Sequence, residues 1–276
     1  MDMANDALPR MSLARSLRSE LLRLSRSPLI WLHLLCGLAG GLACGEYFSV
    51  AAWDASMGAD AYAQFLGALM PLMTSIVCGL AVDEERSAGK LANLTAVPSR
   101  GRAVLAVWAA LSLLGACALA TAFGTFGIVL AAAHRLTLGA HVLATAWAGC
   151  VLGSLPLYAL ELACAFRFGR NATIGVGATG TLLAFFSIGG LAHGLMTGEL
   201  TGAFPSILGW IPFSWSARLG SLGIESAITA GRDATQAAAV NTAAIETAVA
   251  CAVLLAAAIP LFTWWFRRFE DRGLHV

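Results

Sequence analysis

Apolar blocks long enough to cross a lipid bilayer constrain this chain more than any other feature of its sequence. A transmembrane helix needs about 20 predominantly apolar residues to cross a hydrocarbon core of about 30 Å. We predict six such helices, at about 29–50, 61–82, within 103–133, 142–166, 172–195 and 241–266. Charged residues make up 12% of the chain, against roughly 25% in soluble domains. The sequence therefore predicts an all-α integral membrane protein with six transmembrane helices.

The first 28 residues are polar and arginine-rich, and they predict a cytosolic segment that contains an amphipathic helix. Its leucines share one stripe at helical spacing: Leu13, Leu17, Leu21 and Leu24. Arginines, including Arg18 and Arg23, occupy the other faces. Such a helix lies in the membrane interface, with the leucines in the acyl boundary and the guanidinium groups among anionic headgroups. Ser27 and Pro28 predict the N-cap and first position of the first span.

Basic residues predict the orientation of the spans, because cytosolic ends carry an excess of Lys and Arg. Of the 17 basic residues, all but Arg135, Arg218 and Arg232 fall in segments that this rule assigns to the cytosol. Both termini, including residues 267–276, are predicted to be cytosolic. One sizeable cytosolic connection remains, residues 83–102. One sizeable external segment, residues 197–240, is apolar and aromatic enough to return into the outer leaflet as short helices.

Motif patterns argue against several classes of chemistry. No phosphate-binding loop of the form G-x-x-x-x-G-K-[ST] is present, since Gly89-Lys90 is followed by Leu91 and lacks the upstream glycine. Zinc-protease and serine-hydrolase motifs are absent from the sequence as well. The net charge is +1, and the basic residues sit between apolar blocks rather than in one patch. We predict no catalytic or metal site, no cofactor on this chain and no nucleic-acid partner.

The acidic start of the cytosolic connection is the strongest candidate for function. Residues 83–89 (DEERSAG) are able to form a short charged helix that protrudes from the ends of two spans and docks on a soluble partner. The alternative is a solvated loop whose charges stop the second span at the interface, because charges are costly in the bilayer core.

Five ionisable residues lie within or near the ends of predicted spans: His33, Glu46, Glu161, His193 and Glu246. A charge near the bilayer centre costs roughly 3 kcal/mol, so we expect His33 and Glu161 to snorkel to the inner boundary or to pair, for example Glu161 with Arg167 or Arg170. Glu46 and Glu246 lie toward outer ends, where they either contact a cationic substrate or are hydrated at the interface. The aromatic residues Trp210 and Trp215 of the external segment complete a possible substrate path. We predict no carboxylate near the midplane, where a proton-coupled transporter would be expected to hold one.

Small residues cluster in two of the predicted spans and allow helix backbones to approach closely. They are Gly37, Gly40, Gly41 and Gly45 of the first span and Gly175, Gly177 and Gly180 of the fifth. Two interpretations stay open: packing inside one bundle, or contact with another copy or a related subunit.

Three stretches carry a resemblance to a known family: RSELLRLSRSPLIWLHLL (18–35), CGLAVDEERSAGKLANLTAVPSR (78–100) and WIPFSWSARL (210–219). They resemble the permease subunits of lantibiotic-immunity ABC transporters of the MutG type, within the ABC-2 exporter superfamily. The similarity extends over the whole chain in span number, amphipathic start and loop order. The second stretch is the most specific, and in the third Ala217 stands where the family pattern has proline.

The resemblance implies a six-helix ABC-2 permease whose amphipathic start is an elbow helix. It implies that the loop after the second span is a coupling helix, whose pattern falls on Asp83, Glu84, Glu85, Gly89, Lys90 and Leu91. The expected partners are two ABC ATPase subunits, which bind ATP and Mg²⁺, and a second related permease or a second copy. The expected location is the bacterial cytoplasmic membrane.

The resemblance also implies a substrate, a lantibiotic-type antimicrobial peptide that is expelled for self-immunity. Two alternatives remain. One is an ABC-2 permease that exports another drug, lipid or peptide. The other is a non-transporting membrane scaffold or sensor that uses residues 83–102 to hold a cytosolic partner.

Overall fold

The computed structural model is all-helical in the residues it describes, which are 11–187, 191–203, 207–230 and 233–270. Two short 3₁₀ helices, Ile207–Trp210 and Pro212–Ser214, precede α9. The α-helices in chain order are α1 (Leu13–Leu24), α2 (Pro28–Val50), α3 (Ala55–Gly89), α4 (Ala92–Thr95), α5 (Arg100–Ala132), α6 (Ala140–Phe168), α7 (Arg170–Ser187), α8 (Leu191–Thr197), α9 (Trp215–Thr229) and α10 (Ala234–Arg267).

Five helices within the described ranges are long and apolar enough to cross a membrane: α2, α3, α5, α6 and α10. They contain the first four predicted spans and the last, although α3 continues seven residues past 82 to Gly89 and α10 begins at Ala234. The fifth predicted span, 172–195, differs. Its first part forms α7, which is not one of the five helices, because Arg170, Asn171 and several glycines lower its mean hydropathy. The rest of the predicted span falls on residues 188–190, which lie outside the described ranges, and on α8.

Side-chain caps fix where the long helices begin. The Ser27 hydroxyl accepts a hydrogen bond from the amide of Leu29 (3.3 Å), with Pro28 at the first helical position, which confirms the predicted start of the first span. Asp54 caps α3 by accepting hydrogen bonds from the amides of Ser56 (3.0 Å) and Met57 (3.1 Å). These caps satisfy amide groups that have no partner inside the helix.

The centre of the bundle is formed by α3, α5 and α6, whereas α2 and α10 expose most of their surface. Helix α2 packs on α5, α7 packs on α3, and α9 packs against α6, α3 and α10. The exposed faces of α2 and α10 carry large apolar side chains, as expected of surfaces that face lipid tails. These include Trp31, Leu35, Leu42, Ile245, Val249 and Val253.

Most of the predicted small residues pack against helices of the same chain. A Cβ atom on Gly37 would lie 2.5 Å from the Ala118 carbonyl oxygen, and one on Gly41 would lie 2.6 Å from that of Ala122. The first-span glycines thus let α2 approach the α5 backbone, which favours bundle packing. Gly175 differs, because a Cβ there meets nothing within 4 Å.

Prolines interrupt two of the central helices, and neighbouring helices take up the backbone groups near the breaks. Next to Pro71 of α3, the amide of Leu72 donates to Thr181 Oγ1 of α7 (3.1 Å). Pro156 of α6 cannot donate to the Leu152 carbonyl one turn earlier, and that oxygen accepts from the Cys251 thiol of α10 (3.1 Å). Each break is therefore also a point of contact between helices.

Candidate functional site

The acidic segment predicted as a connection is helical in the structure. Residues 83–89 are the last two turns of α3, so the predicted loop of residues 83–102 is shortened to the turn around Lys90 and Leu91, helix α4 and the residues that lead into α5. Helix α3 stops because Lys90 (φ 50°) and Leu91 (φ 62°) both adopt left-handed backbone conformations, which are uncommon for residues other than glycine. The Leu91 side chain is fully buried and anchors this turn.

A single arginine of α1 joins three acidic side chains at this end of α3. Arg23 Nε lies 3.1 Å from Glu85 Oε1, and Arg23 Nη2 lies 2.9 Å from Glu20 Oε2. Arg23 Nη1 is 3.8 Å from Glu84 Oε2. Because Glu85 is only 4% exposed, its carboxylate depends on Arg23 and on Asn93, whose Nδ2 donates to Oε2 (3.2 Å).

Two further contacts brace the same helix end. The Ser27 hydroxyl, at the corner between α1 and α2, donates to Glu84 Oε1 (3.1 Å). Arg170, at the start of α7, forms an ion pair with Asp83 (2.9 Å). The acidic residues that the sequence assigned to a protein partner therefore make contacts within this chain. The exposed part of the predicted coupling segment is residues 87–90, which include Gly89 and Lys90.

Helix α1 forms where the amphipathic pattern predicts it and packs mainly against α5. Leu24 is buried and Leu17 is partly buried, whereas Leu13 and Leu21 stay exposed. Arg18 is exposed on the outer face, and Arg23 points toward α3. The leucine stripe therefore lies partly on the protein and partly outside it, in a position suited to the membrane interface.

Glu20 belongs to the group of acids around Arg23, and its surroundings favour the neutral carboxylic acid more than water does. Burial raises the pKa of its carboxyl, and the nearby Arg23 guanidinium opposes that effect without cancelling it. Glu85 adds a smaller repulsion in the same direction as burial. The network thus holds more negative charge than its one arginine neutralises.

The four residues of the predicted substrate path are not brought together into one surface. Glu46 is exposed on α2, which packs on α5, and Glu246 is exposed on α10. Trp210 is half exposed, while Trp215 is buried at the start of α9. The buried Arg218 of α9 interacts electrostatically with Glu246.

The expected pairing of Glu161 with an arginine is wrong. Its side chain is fully buried in α6, and neither carboxyl oxygen has a hydrogen-bond partner among the described residues. Arg170 instead pairs with Asp83, and Arg167 lies over the Phe168 ring at 5.5 Å. His33 is also buried, with Nδ1 3.2 Å from the Leu29 carbonyl oxygen. The side chain of His193 lies outside the described part of the structure, as do Arg10, Phe204, Pro205, Arg232 and Arg272.

A buried polar cluster near the N-terminal end of α3 went unpredicted. Ser221 Oγ donates to Asp60 Oδ1 (2.6 Å), and the Gly202 amide donates to Glu225 Oε1 (2.7 Å). Asp60 lay just outside the predicted second span, and Glu225 lay in a segment judged too irregular to be a simple span. The sequence signal for this cluster is a pair of polar residues at i, i+4 spacing on each of the two helices, Asp60 with Gln64 and Ser221 with Glu225. The six members, from α3, the chain before residue 204 and α9, are Asp60, Gln64, Thr201, Gly202, Ser221 and Glu225.

A small polar cavity lies near this cluster, at the N-terminal ends of α3 and α10 and the C-terminal end of α9. It has a volume of about 260 Å³, and Met57, Ile228 and Thr229 are among its lining residues. Met57 precedes Asp60 by one turn, and Thr229 follows Glu225 by one turn and donates to its backbone carbonyl (2.9 Å). One helical turn, about 5 Å, therefore separates the cavity from the carboxyl pair.

Comparisons with known proteins add no relative. No protein-family model matches the chain, and no curated protein matches it with significant similarity. Among the described residues, no group of three or more His, Cys, Asp or Glu side chains is arranged to hold a metal ion.

Proposed function

We propose that this chain is the membrane subunit of an ATP-driven exporter. ATP and Mg²⁺ bind to two separate ATPase subunits, and a second related permease or a second copy completes the transport path. The chain lies in a bacterial cytoplasmic membrane as a six-span ABC-2 permease with both termini in the cytosol, and α1 is its elbow helix. The cargo follows from the resemblance of residues 78–100 to lantibiotic-immunity permeases, and is a lantibiotic-type antimicrobial peptide.

The observation that carries the proposal is the braced inner end of α3. Arg23 and Ser27 hold it from the side of α1, Arg170 holds it from α7, and residues 87–90 remain exposed at the tip. A helix end held from two sides moves together with its neighbours, so a push on the tip reaches the bundle. This is the mechanical property that a contact with a nucleotide-driven partner requires.

The experiment targets the exposed tip rather than the buried acids, because changing Glu85 would break the contact with α1. The chain is co-expressed with its ATPase subunits and second permease as Ala88→Trp and Lys90→Glu variants. We expect both variants to lose most of the co-purified ATPase and the tolerance to lantibiotics. Glu270→Lys, which reverses an exposed charge after the end of α10, is the matched control and keeps both properties.

Transport by reconstituted vesicles separates the exporter from its alternatives. ATP-dependent movement of a lantibiotic is expected, and movement of a different drug or lipid in its place would assign another cargo. A complex that binds the ATPase subunits and moves nothing would be a scaffold or sensor. The proposal is wrong if wild-type chain never associates with an ATPase subunit.

A further inference from the structure

The carboxyl groups of Asp60 and Glu225 lie together in a site that excludes water. Asp60 is 2% exposed and Glu225 is 0% exposed. Ser221 Oγ links them, at 2.6 Å from Asp60 Oδ1 and 3.4 Å from Glu225 Oε1. Hydrogen bonds from Ser221, Gln64 and the backbone amides of residues 201–203 offset part of the cost of two buried negative charges. Neutral donors leave the net charge in place, so the site favours a cation or a proton.

No basic side chain of the described residues forms an ion pair with either carboxyl. Arg218, two turns before Glu225 on α9, is the basic group that interacts with Glu225 electrostatically, and it also interacts with the exposed Glu246 of α10. From α6, the thiol of Cys150 packs beside Gly220 of α9 and contributes no positive charge. From α3, the nearest polar group is the neutral amide of Gln64.

Gln64 Nε2 and the Ser221 hydroxyl make more polar contacts than they have hydrogens to donate. Gln64 Nε2 carries two hydrogens and lies 2.9 Å from Asp60 Oδ2, 2.8 Å from Thr201 Oγ1 and 3.0 Å from Ser221 Oγ. Ser221 carries one hydrogen and faces a carboxyl oxygen on each side. With both carboxyls ionised, the amide and the hydroxyl have three hydrogens for these five contacts.

One carboxyl oxygen, Glu225 Oε2, indicates where a positive charge would lie. Both oxygens of Asp60 accept hydrogen bonds, and Glu225 Oε1 accepts one from the Gly202 amide. Glu225 Oε2 is buried and has no partner. A Cβ atom on residue 202 would lie 3.1 Å from Glu225 Oε2 and 2.7 Å from Ser221 Oγ, so the glycine keeps open the position beside both oxygens.

We propose that this cluster binds one small monovalent cation, a proton or a sodium ion, between Glu225 Oε2 and Ser221 Oγ. The ion offsets one of the two negative charges that the Asp60–Glu225 pair would otherwise carry. The cavity lined by Met57 and Thr229 lies one helical turn from the carboxyl pair and is the entry route that we propose. The inference concerns the ion alone and does not depend on the exporter function.

The test is infrared spectroscopy of the purified full chain in potassium buffer across a pH series. A bound proton gives the carbonyl band of a hydrogen-bonded carboxylic acid, which fades as the pH rises and is lost in Glu225→Gln. Glu161→Gln is the matched control: it removes a buried carboxyl that has no hydrogen-bond partner, and should leave the hydrogen-bonded band unchanged.

Replacing potassium by sodium distinguishes the two ions. If the protein binds only a proton, the band is the same in both salts. If sodium competes, sodium weakens the band and raises the unfolding temperature of wild type, and Glu225→Gln and Ser221→Ala lose the sodium effect. Both results support the site.

Two results would overturn the inference. One is wild-type protein with neither a hydrogen-bonded acid band nor a sodium-dependent unfolding temperature. The other is a band and a sodium response that persist in both Glu225→Gln and Asp60→Asn. The wild-type measurements decide the matter even if these variants fold poorly.

Discussion

The contacts of individual charged residues in this chain depend on side chains that are distant in sequence. Arg23 contacts acids that follow it by about 60 residues as well as Glu20 on its own helix. Glu161 was expected to pair locally, but its side chain points into the bundle where no arginine reaches. Sequence spacing predicts which residues share a helix face, and it does not reveal which second helix that face meets.

Glu20 gives a prediction about pH. Its pKa is raised in the folded protein, so between the ordinary glutamate value of about 4.3 and the raised value the folded state holds more of the proton. Stability therefore falls as the pH rises through this window, and the loss is complete above the folded pKa. We expect Glu20→Gln to remove this loss and to unfold at the same or a higher temperature than wild type near neutral pH.

Thermal unfolding of the detergent-solubilised protein from about pH 4.5 to about pH 8 checks this expectation. Glu270→Gln, an exposed glutamate near the C-terminus, is the control and should keep the wild-type pH dependence. A Glu20→Gln variant that is clearly less stable than wild type at neutral pH would show that the ion pair with Arg23 outweighs the cost of burial.

Helices were the best-predicted level of structure. The first span begins at the predicted cap, because Ser27-Pro28 is a local signal that tertiary contacts did not override. The acidic end of α3 was predicted as part of a connection, either a short charged helix or a loop whose charges mark the end of the span. Here the helix continues, since α1 and α7 supply the counter-charges Arg23 and Arg170. These contacts between helices cannot be read from the sequence around residues 83–89.

The approach of α3 to α9 predicts a sharp difference between two glycines. A Cβ on Gly67 would lie 2.2 Å from the Cα atom of Ala217, and backbone cannot move aside as a flexible side chain does. We expect Gly67→Ala to lower the free energy of unfolding by roughly 1–3 kcal/mol.

Gly175→Ala is the matched control on α7. Its Cβ meets nothing within 4 Å, so we expect no loss and a gain of up to about 1 kcal/mol from helix propensity. Denaturant unfolding of both variants in the same detergent measures the difference. Equal stabilities would mean that α9 does not pack on α3 at this position.

At the scale of the whole molecule, hydropathy predicted the membrane class and most of the spans, but it did not predict the buried polar cluster. Gln64 and Ser221 are separated by 157 residues, and only the packing of α9 between α3 and α6 brings them within 3.0 Å. Residues 197–240 were predicted to return into the bilayer as short helices, and α9 is a short helix of this segment with 11 of its 15 residues buried.

The predicted orientation is tested at the two ends of α5. Lys90 lies in the turn that leads through α4 to its start, and Thr137 lies in the connection after its end; both are exposed. We expect a membrane-impermeant thiol reagent to label Thr137→Cys in intact cells and Lys90→Cys only after permeabilisation. The chain without either substitution is the control for the native cysteines, and the opposite labelling pattern would reverse the topology.

Helix α3 has 35 residues and is about 50 Å long, with Asp60 near one end and Glu85 near the other. Pro71 leaves the Gly67 carbonyl without its usual amide partner at the level where α9 presses against the helix. The N-terminal and C-terminal halves of α3 are therefore able to turn through different angles. A displacement of the Glu85 end would change the bend of α3 at Pro71 and so move Asp60 sideways. In a helix without this break, the same displacement would shift Asp60 along the helix axis.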